Sequence, residues 1–344
     1  MANTASPAQR LEGMLRIRRF EEQVLRAGEA HAFAGHYHVY IGQEATAVAA
    51  CEQLTADDMI FTTWRNHGHL MARGASPDRL MAEIFGRATG YSGGKSGSLH
   101  LSVAELGVPA TSAMVGGSLP MAVGAALGLK QQQSPGIVVA FFGDAALDEG
   151  AAYEALNLAA LWAVPILFVC ENNSIPPELR KRGQYTSSSL SAAELIDVPR
   201  VLRIPTEVTD GADADGLFAC FQRLVGEVRA RRSPRFIEVR CTRWPGNTMT
   251  WPELIGGECQ LDWAFDARPQ PPELASWIET SDPVLHYLRK LAQSGVVSRE
   301  TVSSLDTRVR AEMAAAVRFA ESSPWPDPAE ALQGTYANGR RTCG

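Results

Sequence analysis

Asp144 and Asn173 stand 29 residues apart, each just beyond a short apolar run. The first run is Gly136-Ile-Val-Val-Ala-Phe-Phe142 and the second is Pro165-Ile-Leu-Phe-Val-Cys170. Both are rich in β-branched and aromatic residues, the composition of buried strands. Between them Ala152, Leu156, Ala159, Ala160 and Trp162 fall near helical spacing. A strand–helix–strand crossover in one sheet is almost always right-handed and parallel. Both polar residues then emerge at the carboxyl edge of the sheet, where α/β proteins bind ligands. Magnesium takes hard oxygen ligands and is often shared with phosphates. A carboxylate, a side-chain amide oxygen and a loop carbonyl such as that of Ile175 would make such a set. The competing account is local: Asp144 caps the following helix and Asn173 shapes a turn. The pairing, each residue ending a buried strand, favours the metal–phosphate site.

The stretch from Gly143-Asp-Ala145 to Glu171-Asn-Asn173 resembles the thiamine diphosphate motif of the α subunits of 2-oxo acid dehydrogenases, the pyruvate, branched-chain and acetoin group. The family pattern begins Gly-Asp-Gly, and Ala145 here replaces the second glycine. Gly42-Gln-Glu-Ala45, Arg73-Gly74, Gly94-Lys-Ser-Gly-Ser-Leu-His100, Ala159-Ala-Leu-Trp162 and Ser281-Asp-Pro283 resemble further family landmarks in the expected order. The resemblance implies that Asp144, Asn173 and the Ile175 carbonyl bind Mg2+. It also implies that Gly143, Ala145 and Ala146 cradle the diphosphate at a helix N-terminus, which suits anions.

Arg65 follows one strand run and precedes a helix, where a guanidinium fork can grip phosphate oxygens; a surface ion pair is the alternative. By resemblance Arg65 and Trp64 contact the diphosphate, although the family usually has tyrosine at the latter position. Ala113 and Val115 match positions against the aminopyrimidine ring, with plain core packing as the alternative. His38, His67 and His100 match active-site histidines of the family. Histidine suits proton exchange near neutrality. His36 stands where the pyruvate enzymes are commonly apolar, which implies a more polar substrate pocket. The largest departure is Arg243-Trp-Pro-Gly-Asn-Thr248. Here Asn247 replaces the histidine that meets cofactor and substrate, and an amide cannot exchange a proton near neutrality. Gly90-Tyr-Ser-Gly-Gly-Lys-Ser96 looks like a phosphate loop, but Thr89 stands where that motif needs a glycine. A flexible active-site rim is the expectation instead.

The elements that must position these groups are legible as alternating units. A helix is expected over about Pro7–Ala30 and another from Gln43. Strands are expected at Met59–Thr63, Thr206–Thr209 and Phe236–Thr242, and a small-residue helix over Gly116–Leu129. Trp244–Pro272 reads as a long loop, and Asp282–Phe319 as two helices. Alternating βα units imply a doubly wound, mostly parallel α/β sheet, the thiamine diphosphate-binding fold by resemblance. The expected organisation is a single domain over residues 1–344, with an N-terminal helix over 1–30 and a C-terminal helical tail over 282–322. Net charge is −6 and no long basic run occurs, so nucleic acid is not an expected partner. The six cysteines are scattered without a Cys-x-x-Cys pair and read as free thiols. No apolar run approaches membrane-spanning length, and the N-terminus lacks an apolar signal core. The expected location is the cytoplasm, with no membrane contact.

The resemblance implies an α subunit of a thiamine diphosphate- and Mg2+-dependent enzyme. It would decarboxylate a 2-oxo acid or cleave an acyloin through an enamine and pass the acyl group oxidatively to a lipoyl acceptor. A β subunit would supply the glutamate that activates the aminopyrimidine, in an α2β2 heterotetramer, and a lipoyl-bearing transacylase would be a further partner. Non-oxidative carboligation without a lipoyl partner is the alternative that Asn247 favours. A non-catalytic regulatory homologue is the alternative from another class. A nicotinamide enzyme is not supported, since no Gly-x-Gly-x-x-Gly follows an early strand.

Overall fold

Residues 5–173, 190–243, 259–266 and 277–332 are described in the computed structural model. Six strands form one sheet: β1 (Met59–Thr63), β2 (Ala110–Ser112), β3 (Val138–Gly143), β4 (Ile166–Asn172), β5 (Thr206–Asp210) and β6 (Arg235–Arg240). Their order is β2-β1-β3-β4-β6-β5, and every pairing is parallel. The carboxyl ends of all six therefore face one edge.

The central strands β3 and β4 are apolar on both faces because helices cover both. Val139 and Phe141 of β3 join the core cluster on one side, with Leu11, Met14 and Phe20 of helix α1 (Pro7–Glu29). Val138, Ala140 and Phe142 join the other, with Leu119 of α5 (Ser118–Gln131) and Leu156 of α6 (Gly150–Trp162). That is the two-residue period of a strand turned into two cores. Helices α2 (Glu44–Cys51), α3 (His67–Ala72) and α4 (Pro77–Ile84) lie between α1 and β2 in the chain.

The first helix begins with a capping box, in which Ser6 and Gln9 bond reciprocally, and with Pro7 at its first turn. Its Arg18 is 2% exposed and binds Asp282 through two nitrogens at 2.9 Å each and Glu44 at 2.6 Å. Asp282 also caps the helix Pro283–Gln293. One buried guanidinium thus ties α1, α2 and the C-terminal helices together. A longer helix, Arg299–Ser322, follows and packs on α1 and α4.

Several elements differ from expectation. The three-residue β2 and the helices α4 and Ala214–Arg231 were not anticipated. The last strand runs Arg235–Arg240 and stops before Cys241. Most of the expected Trp244–Pro272 loop lies outside the described residues; Leu261–Ala264 within it forms a short 3-10 turn. Among the described residues, no helix is long and apolar enough to cross a membrane.

Candidate active site

Five strand ends converge on one pocket. It is lined by Thr63, Trp64 and Arg65 after β1, Val115 and Gly116 after β2, and Phe142 to Ala146 at the end of β3. Glu171 and Asn173 from β4 and Arg243 after β6 complete it. Gly143 and Glu171 are register partners across the β3–β4 pair, which brings Asp144 and Asn173 to the same edge. Asp144 is 1% exposed and opens a 3-10 turn, Asp144–Asp148, so Ala145 and Ala146 lie in the first turn at the pocket wall.

The amide of Asn173 has a fixed orientation. Its Nδ2 donates to Gln43 Oε1 at 3.1 Å, which leaves Oδ1 to accept from Arg243 Nη1 at 3.3 Å. The pocket therefore meets an amide oxygen beside a carboxylate, a hard oxygen pair. Arg65 is 4% exposed and donates to the Val39 carbonyl. Burial, and then the neighbouring Arg243, pushes it down to about 10. Burial likewise lowers Arg243, with the Asp144 carboxylate opposing the shift. Two poorly solvated guanidiniums facing one pocket favour an anion between them.

Of the residues singled out from sequence, Trp64, Arg65, Val115, Gly143, Asp144, Ala145, Ala146 and Asn173 meet at this pocket. Ala113 does not line it. His38 is half-buried, and its ring stands edge-on to Trp64 at 6.1 Å. Burial, then Arg65 and Arg243, lowers it to about 4, so it is neutral at pH 7. Its Nδ1 is buried and has no partner among the described residues. His67 is fully buried, with Nδ1 2.9 Å from Glu21 Oε2 and Nε2 2.9 Å from Ser98 Oγ. Both of its ring nitrogens are thus engaged away from the pocket. His100 is exposed. Asn247 and Ile175 lie outside the described residues.

Sequence reasoning gave no site role to Arg243, Glu171 or Gln43. Arg243 stood at the head of the divergent loop, but only the strand order, with β6 beside β4, reveals which crevice it faces. Glu171 lay within the quoted motif with no role assigned. The phosphate-loop likeness of Gly90–Ser96 has a structural counterpart. The backbone N–H groups of Ser92, Gly94 and Ser96 do cradle an anion, the Glu83 carboxylate of α4, at 2.7, 2.9 and 2.8 Å.

Comparison with known proteins identifies the family. The profile of the family described as the dehydrogenase E1 component matches residues 12–329. The chain is 32% identical to the α subunit of the acetoin:2,6-dichlorophenolindophenol oxidoreductase of Bacillus subtilis, over 94% of this chain and 92% of that one. It is 33% identical to the pyruvate dehydrogenase E1 component α subunit of Zymomonas mobilis, over 91% and 83% of the two chains. It is 30% identical to the acetoin-oxidoreductase α subunit of Cupriavidus necator, over 94% and 92%. With a profile match across most of its length and relatives aligned nearly end to end, this chain belongs to the dehydrogenase E1 component family.

Proposed function

We propose that the chain is the α subunit of a heteromeric thiamine diphosphate-dependent enzyme that decarboxylates a 2-oxo acid or cleaves an acyloin. The observation that carries this reading is the oxygen pair of Asp144 and Asn173 set against Arg65 and Arg243 in one pocket at the carboxyl edge. That donor set fits a magnesium diphosphate. Asp144, Asn173 and the Ile175 carbonyl would hold the metal. Arg65, Arg243 and the N–H groups of Ala145 and Ala146 would hold the phosphates, beside Gly143. Trp64 and Val115 would wall the rings. When bound, thiamine diphosphate supplies a carbanion nucleophile for a carbonyl carbon.

The remaining groups orient and exclude. His38, neutral at pH 7, offers hydrogen bonds to a substrate carboxylate or carbonyl and does not act there as a cation. His67 acts as a positioning residue, holding Ser98 and the glycine-rich rim. His100, on the exposed side, would meet substrate only once a partner covers it. Glu171 is committed to Tyr40, so the aminopyrimidine-activating glutamate falls to a β partner in an α2β2 assembly. Exposed Val115, which lines the pocket, and its neighbour Met114 (72%) support such a partner. The relatives' designation as α subunits supports it as well. The reading places a single unit in the cytoplasm.

A lipoyl-bearing transacylase is the acceptor in the oxidative form. Carboligation without it is the second reading, favoured by Asn247, which cannot exchange a proton as histidine does. Assay of the co-expressed complex with 2-oxo acids, with and without a lipoyl domain, separates the two. The site itself is tested by titration calorimetry of Asp144→Ala. Metal-dependent binding of thiamine diphosphate is expected to disappear; unchanged affinity would refute the assignment.

A further inference from the structure

Behind the pocket, the Tyr40–Glu171 bond is the end of a longer buried hydrogen-bonded chain. Thr62 Oγ1 is 2.9 Å from His69 Nδ1, and His69 Nε2 is 3.0 Å from Tyr40 Oη. Tyr40 donates to Glu171 Oε1. Thr62, His69 and Tyr40 are fully buried, and Glu171 is 2% exposed. A carboxylate only accepts and a phenol carries one proton. With a neutral imidazole, every proton then points the same way. Thr62 donates to His69 Nδ1, His69 Nε2–H donates to Tyr40, and Tyr40 donates to Glu171. The rings are held as well. His69 packs 4.0 Å from Phe141 and 4.6 Å from Tyr40 between centroids. A Cβ at Gly68 would fall 2.1 Å from the Tyr40 ring, so the backbone passes there only as glycine.

The end of that chain, Glu171, lines the same pocket as Asp144. The charged side chains of the wall are two guanidiniums, Arg65 and Arg243, and two carboxylates, Asp144 and Glu171. Asp144 would ligate the cation on the reading above. Glu171 is tied down by Tyr40 and acts on the pocket through its charge. A diphosphate arriving alone would meet two carboxylates on the wall of a poorly solvated site, where like-charge repulsion is strong. Arriving with a divalent cation, it does not.

We propose that Glu171, held by Tyr40, His69 and Thr62, makes diphosphate binding metal-coupled by penalising the bare anion. This rests on the reading of the pocket as a thiamine diphosphate site. The test is calorimetric titration of thiamine diphosphate into the full chain, purified with its partner subunit, in Mg2+ and in EDTA. The readout is the ratio of the two Kd values. Glu171→Gln keeps an acceptor for Tyr40 and removes the charge. Its bare-anion binding is expected to tighten, and the ratio to fall about tenfold. Tyr40→Phe keeps the charge, and its ratio is expected to stay within about twofold of wild type while both affinities weaken. Should Glu171→Gln not fold, the Glu171→Met, Tyr40→Phe double variant removes both ends of the bond and gives the same readout. An unchanged ratio in the charge-removing variant, or an equal fall in Tyr40→Phe, would overturn the proposal. A wild-type ratio near one would overturn it while leaving the cofactor site standing. Absence of wild-type binding under both conditions would refute the cofactor site itself, and this proposal with it.

Discussion

Glutamine at position 83 is expected to loosen the rim of the site without unfolding the sheet. Glu83 is fully buried near the end of α4, and its two oxygens accept four bonds. Oε2 takes the N–H groups of Ser92 (2.7 Å) and Gly94 (2.9 Å). Oε1 takes the N–H and hydroxyl of Ser96, both at 2.8 Å. Gly93, Gly94 and Gly97 adopt φ of +67°, +77° and +56°, which curls their backbone around the carboxylate. A Cβ at Gly90 would fall 2.3 Å from Glu83 Oε2, so the turn cannot drift outward to accommodate a side chain there. Glutamine replaces one oxygen by a donor. Two acceptor contacts disappear on that side, and a new N–H group faces existing ones.

Hydrogen bonds to a charged acceptor contribute about 1.5–3 kcal/mol each. Two lost bonds, reduced by local relaxation, give about 3 kcal/mol, or roughly a hundredfold rise in the opening equilibrium of the segment. Hydrogen–deuterium exchange of peptides spanning residues 86–98 reads that opening directly, with β3 peptides as the internal control. The consequence should reach the pocket. Ser98 follows the nest, and it bonds His67 through Oγ and Asn66 through its carbonyl at 3.0 Å, on either side of which lie Arg65 and α3. Weaker cofactor affinity is therefore expected alongside faster exchange. Exchange in 86–98 within about threefold of wild type would refute the reasoning, because it would mean the N–H groups do not depend on the charge.

Arg18→Met leaves Asp282 and Glu44 buried without their cation, and a loss of about 3–5 kcal/mol in denaturant unfolding is expected; a loss under about 1 kcal/mol would show the pair to be dispensable. His38 titrates at about 4 in the fold against an ordinary 6.5. Its folded value is the lower one, so the unfolded chain takes up the proton first. The stability it contributes is complete above pH 6.5 and is lost as pH falls from there toward 4. His38→Gln is expected to flatten the pH dependence of the unfolding midpoint across that window, and parallel curves for the two proteins would count against it.

These perturbations fall on features of unequal legibility. The span of β1, the β3–helix–β4 crossover and the small-residue helix were readable because each carries its own periodicity and its own turn signals. β2 was not: Ala110–Ser112 is three residues long, on the sheet edge, and has no hydrophobic period. The helix Ala214–Arg231 was missed although its signal is present, with Leu217, Phe218, Phe221, Leu224, Val225 and Val228 at helical spacing. The pocket divides in the same way. The placement of Asp144 and Asn173 at one sheet edge was legible because each terminates a strand that announces itself. His67 was given a catalytic role by its match to a family histidine; its partners, Glu21 and Ser98, lie 46 and 31 residues away, and sequence does not show that they engage both ring nitrogens.

What sequence order conceals most is the neighbour relation between strands. β6 follows β5 in the chain yet lies between β5 and β4 in the sheet. That insertion carries Arg243 to the crevice where β3 and β4 end, opposite Arg65 from β1. Arg65 reads from sequence as a phosphate contact, with a surface ion pair as the alternative, and Arg243 carries no assigned role. Brought together across the sheet, and desolvated by it, they turn an edge bearing Asp144 and Glu171 into a balanced site. An anion alone is opposed at such a site by the carboxylates, and a cation alone by the guanidiniums; a metal–diphosphate pair satisfies both sets. On the proposed reading, the parallel sheet would favour a neutralised pair by collecting charges from strands that are distant in sequence and adjacent in space.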